Sequence, residues 1–95
     1  MADKDLYIQK ARARIAQWDA EIEQMKARAE EAEADAKINY RRQVDAMRRE
    51  RDKAETRLKE LRDASDRAWE DVRSGFEKAW DDIASAFDSA RTRYQ

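Results

Sequence analysis

Two pairs of adjacent carboxylates, Glu30-Glu31 and Asp81-Asp82, come nearest in this chain to the residue types and spacing that acid–base chemistry needs. Neighbouring carboxyl groups divide the roles of acid and base only when burial or a close like charge moves one pKa. Both pairs fall on the polar side of helical segments, where water supplies neither condition. The 95 residues include no histidine and no cysteine, so the commonest general base, thiol nucleophile and transition-metal ligands are missing. Neither zinc-ligand spacing nor a calcium loop occurs. The expectation is a chain with no catalytic residues, no cofactor, no metal and no small-molecule substrate.

A second candidate chemistry is phosphate binding, through Arg41, Arg42, Arg48, Arg49, Arg51 and Lys53. Such a run on one helix can neutralise a nucleic-acid backbone. The net charge of the chain is nevertheless −1, and Asp45 and Glu50 stand among the bases. A solvated or partner-facing role is therefore expected, and nucleic acid is not an expected partner.

The elements that carry these groups follow from one apolar stripe. Its members are Tyr7, Ala11, Ile15, Trp18, Ile22, Met25, Ala29, Ala32, Ala36, Tyr40, Val44, Met47, Arg51, Ala54, Leu58, Leu61, Ser65, Trp69, Val72, Phe76, Trp80, Ile83, Phe87, Arg91 and Tyr94. Every step is three or four residues, and 24 steps cover 87 positions, about 3.6 per step. With one glycine (Gly75), no proline and 45% charged residues, the composition is that of long helices and coiled coils. The predicted fold is all-α: long amphipathic helices forming a coiled coil or helical bundle, antiparallel in arrangement.

The stripe divides the single unit 1–95 into a heptad-like helix over 5–62 and an eleven-residue repeat over 66–94. In the repeat Trp69 maps to Trp80, Val72 to Ile83 and Phe76 to Phe87, a period of about 3.67 that favours a straight or slightly right-handed supercoil. Between 29 and 36 the stripe thins to alanine, marking either a close backbone approach or the weakest part of the structure. The best candidate for a break is 63–66, where Asp and Ser suit an N-cap and Ser65 occupies a stripe position. Asn39 is a weaker candidate, and breaks at both sites would give three helices of about 30 residues. The unslipped phase favours a rod, which would be about 135 Å long.

Charge adds orientation. Residues 19–36 carry seven acids and two bases, whereas residues 37–53 carry seven bases and three acids. Opposed blocks pair best in an antiparallel arrangement centred near residue 36, between chains or between hairpin arms. The plainer alternative is local support within a helix, as in Glu33–Lys37, Asp45–Arg49 and Glu55–Lys59. The expected self-association interface is Tyr7, Ile15, Trp18, Ile22, Met25, Tyr40, Val44, Met47, Leu58 and Leu61 in the first part. In the repeat it is Trp69, Val72, Phe76, Trp80, Ile83 and Phe87.

Three functional readings remain. The first is a non-enzymatic structural or interaction protein that assembles with copies of itself. The second is a lipid-surface protein, using the Trp, Phe and Ile face of residues 66–94; a net charge of −2 over 66–95 argues against attraction to anionic lipid. The third is a compact three-helix bundle acting as an adaptor. No stretch approaches the length of a membrane span, and the N-terminus lacks a secretory apolar core, so a cytoplasmic location is expected.

The order of Tyr7-Ile8-Gln9-Lys10, then Ile15-Ala16-Gln17-Trp18-Asp19-Ala20-Glu21-Ile22, an Ala/Glu-rich middle and the Ala-Trp-x-Asp-Val/Ile repeats resembles a family of small bacterial coiled-coil proteins. Its members are stress-response or uncharacterised proteins. The resemblance covers the whole chain in pattern and aromatic anchors. It implies a cytoplasmic bacterial protein connected with stress, and assigns no role to any single residue.

Overall fold

The computed structural model describes residues 2–92, and Tyr94, the last stripe position, lies outside them. Three helices carry nearly all of the described chain: α1 (Ala2–Glu31), α2 (Ala34–Arg62) and α3 (Trp69–Thr92). The chain folds back on itself twice, giving a body of 53 × 18 × 15 Å. No rod forms, and the helix expected over 5–62 is two helices.

The first turn falls at Ala32 and Glu33, inside the alanine-thin segment, while Asn39 sits within α2. Continuing the helix would place Glu30 three residues from Glu33 and Glu31 four from Asp35, both repulsive pairs. Breaking it moves Glu33 and Asp35 to the start of α2, where a helix dipole favours negative charge. Alanine offers little buried area to oppose the break. The Lys37 N–H donates to the Glu33 carbonyl at 2.7 Å to open α2. No residue with positive φ is needed.

The second turn spans 63–68, across and just beyond the 63–66 candidate. Asp63 closes α2 with its N–H toward the carbonyls of Leu61 and Lys59. Ser65 explains its place in the stripe: its Oγ accepts from the Ala68 N–H at 3.2 Å, a capping bond just ahead of α3. Lys4 of α1 donates to the Ala64 carbonyl at 2.6 Å, tying the start of the chain to this turn.

Helix order is up, down, up. Lys4 meets residue 64 and Asp19 meets Arg51, so α1 and α2 run antiparallel. Tyr7 meets Glu77 and Glu21 meets Arg91, both 70 residues apart, so α1 and α3 run parallel. The core contains Ile8, Ala11, Ile15, Trp18, Ile22 and Met25 from α1, and Val44, Met47, Ala54, Leu58 and Leu61 from α2. From α3 come Trp69, Phe76, Ile83, Phe87 and Ala90. The closest backbone approaches are α1 to α2 and α2 to α3, because α2 brings aliphatic and small side chains to the core. Helices α1 and α3 meet through large rings: Trp18 stacks on Trp80 at 5.2 Å and on Phe87 at 4.7 Å. Tyr7 stands edge-on to Trp69 at 6.0 Å and to Phe76 at 5.7 Å. Burying each large side chain contributes about 1.5–3 kcal/mol, and ring geometry adds about 0.5–1.5 kcal/mol per pair.

Candidate interaction surface

The side chains expected to form a seam between chains pack within one chain. Ile15, Trp18, Ile22, Met25, Val44, Met47, Leu58, Leu61, Trp69, Phe76, Ile83 and Phe87 are buried, and Tyr7, Tyr40, Val72 and Trp80 pack partly buried against them. The 66–92 segment, with its heavy aromatic face, folds back instead of protruding. The face on which a lipid-surface reading relied is turned into the bundle. Among the described residues no helix is long and apolar enough to cross a membrane.

Polar residues that interrupt the stripe have definite partners. Arg51 donates side-on to Asp19, from Nε at 2.7 Å and Nη2 at 3.2 Å. That hydrogen bond, outweighing partial burial, raises the Arg51 pKa and holds its charge firmly. Arg91 reaches Glu21 at 3.1 Å and Asp88 at 2.6 Å. Both stripe arginines thus pin their helices to acids on α1. Tyr7 donates its hydroxyl to Glu77 at 3.0 Å; burial first, then that bond, pushes its pKa up to about 12.

Gln43 escaped the periodic reading. It is fully buried, and its Nε2 donates to the Arg91 carbonyl in the last turn of α3, where carbonyls lack helical partners. Its Oε1 has no hydrogen-bond partner among the described residues. A glutamine one position from Val44 reads as solvated in a sequence, and only the close of α3 against α2 reveals its task.

On the side that α3 does not cover, α1 and α2 enclose a groove of about 400 Å³ lined by Lys26, Ala29, Glu30, Lys37, Arg41, Val44, Asp45 and Arg48. It continues through Arg48 to Asp19, Ile22, Glu23, Arg51 and Asp52. The α1 wall carries three acids and one base, and the α2 wall four bases and two acids. Asp19, Arg51 and Asp52 are joined by ion pairs. Glu23, Lys26, Glu30, Lys37, Arg41, Asp45 and Arg48 make none within 4 Å among the described residues. All but Lys37 are exposed. The acidic and basic blocks of the sequence are therefore brought side by side, antiparallel, with most of their complementarity unused.

The local pairs Glu33–Lys37, Asp45–Arg49 and Glu55–Lys59 also do not close. Lys53–Glu50, Arg57–Glu60 and Arg73–Glu70 do. Glu30-Glu31 and Asp81-Asp82 lie exposed on helix surfaces. Among the described residues no group of His, Cys, Asp or Glu is arranged to hold a metal ion. Chemically, the surface offers charged rows on two packed helices, suited to meeting another charged helix. No family model, no curated protein and no solved structure matches this chain.

Proposed function

We propose that this chain is a non-enzymatic helical interaction protein that associates with copies of itself through the outside of its bundle. The observation that carries the reading is the α1/α2 groove, where seven charged side chains stand without an ion-pair partner among the described residues, along two packed helices. A helix pair that holds its own core can present such rows without refolding its backbone, so docking costs only the ordering of the side chains. The aromatic side chains serve the internal core, so association falls to the charged exterior. A cytoplasmic location and a connection with stress belong to the same proposal and rest on the resemblance in pattern alone.

Sedimentation equilibrium over about 10 µM to 1 mM, at low salt, tests the reading. A weight-average mass rising above 11.3 kDa supports it. A mass constant at the monomer value through 1 mM overturns it.

A further inference from the structure

The groove walls have mirrored charge spacing. Along α1 the order is Asp19, Glu23, Lys26, Glu30, and along α2, read backwards, it is Arg51, Arg48, Asp45, Arg41. The ion pair of Asp19 with Arg51 fixes their common height. Equal rise along both helices then sets Glu23 within one residue, about 1.5 Å, of the height of Arg48, and likewise Lys26 with Asp45 and Glu30 with Arg41. At every level the two walls carry opposite charge.

We propose that two copies of this chain dock face to face through this groove, about a two-fold axis parallel to the helices, so that α1 of each lies against α2 of the other. This deepens the self-association reading and rests on it. The axis keeps heights unchanged and exchanges the walls. Glu23 then meets the partner's Arg48, Lys26 the partner's Asp45, and Glu30 the partner's Arg41, each twice by symmetry. The other two-fold in the same face, perpendicular to the helices, opposes charge only at the inner pairs, Glu23 with Lys26 and Asp45 with Arg48, and sets Asp19 near Glu30 and Arg41 near Arg51, like against like. The ten charged residues of the two walls comprise five acids and five bases. A net of zero gives a polyanion such as nucleic acid no field to follow, whereas a second copy supplies the mirrored pattern by construction. The floor between the walls is Ile22, Ala29 and Val44, all buried in the hairpin. The interface is therefore polar and moderate in area, and the dimer is weak and sensitive to salt.

Two double variants test this in the full chain by sedimentation equilibrium, with circular dichroism as the folding check. Glu23→Lys with Glu30→Lys makes both walls predominantly basic; Arg41→Glu with Arg48→Glu makes both predominantly acidic. Each alone should lose self-association by about tenfold or more, and an equimolar mixture should recover a two-chain species. Undiminished self-association of either variant, beside an associating wild type, overturns this face while leaving the broader reading in place. Loss in both without recovery on mixing overturns the proposed axis. A wild type that stays monomeric removes the self-association reading and this dimer with it. Should a variant fail to fold, carbodiimide cross-linking of mixed light and isotope-labelled wild type decides instead. Mixed-label Lys26–Asp45 products support the dimer, and purely same-label products contradict it.

Discussion

Replacing Trp18 by alanine should remove a large share of the folding free energy. Trp18 is 3% exposed, stacked on Trp80 at 5.2 Å and Phe87 at 4.7 Å, with the Arg14 guanidinium 5.9 Å from its ring centre. It is the ring through which the middle of α1 holds the C-terminal half of α3. Truncations of this kind cost about 3–5 kcal/mol, because the cavity adds to the lost transfer energy. A domain of this size is stabilised by about 5–14 kcal/mol in total. With a urea dependence of about 1.5–2 kcal/mol per molar, the midpoint should fall by about 2–3 M. Helical circular dichroism against urea, in about 0.5 M salt to screen the outer charges, reads this directly. Trp80→Ala should cost less, since that ring is only half-buried. In the same assay the wild-type midpoint should be equal at 2 and 200 µM, roughly a hundredfold range, because a seam closed within one chain has no mass-action dependence. A Trp18→Ala midpoint within about 0.5 M of wild type, or a wild-type midpoint that climbs with concentration, would refute the reasoning.

Gly75→Ala should stabilise the bundle by about 0.5–1 kcal/mol, because Gly75 lies within α3 and an added Cβ meets nothing within 4 Å; a lower thermal midpoint would contradict this. Tyr7 has a folded pKa of about 12 against an ordinary 10.0, so its contribution is complete below pH 10 and fades as pH rises toward 12. The stability difference between wild type and Tyr7→Phe should decline over that window, and a constant difference would show that Glu77 does not hold the hydroxyl. Arg51→Met should cost no more than about 1 kcal/mol, shrinking with added salt, since the Asp19 pair is partly exposed. A larger, salt-independent loss would mean that the pair acts as a buried one.

The helix content and the inward face were readable from periodicity alone, since Ile15, Trp18, Met47, Leu58, Phe76 and Phe87 recur at helical spacing and all enter the core. The second turn falls at the candidate break that Ser65 marks, a capping residue in the apolar run, although the unslipped phase favours a continuous rod. The first turn was missed: stripe phase is kept by alanines 29, 32 and 36 whether or not the backbone is continuous, so phase says nothing about the break. Repulsion among Glu30, Glu31, Glu33 and Asp35 was the available clue. Whether the stripe closes within one chain or between several depends on where those turns fall, and a periodic pattern is the same in either case. The charge blocks did indicate antiparallel packing, realised between α1 and α2 of one chain. The groove itself could not be read, because its rows exist only once the hairpin sets residue 23 beside 48.

Small-angle X-ray scattering, extrapolated to zero concentration, tests most directly whether the aromatic stripe closes into a bundle within one chain. The folded chain has a Cα radius of gyration of 15.6 Å and a longest extent of 53 Å. A scattering radius of about 16–18 Å, with a pair-distance function ending shortly beyond that extent, is the expected result. A continuous helix of about 135 Å would scatter with a radius near 40 Å, and a value of that size would contradict the account.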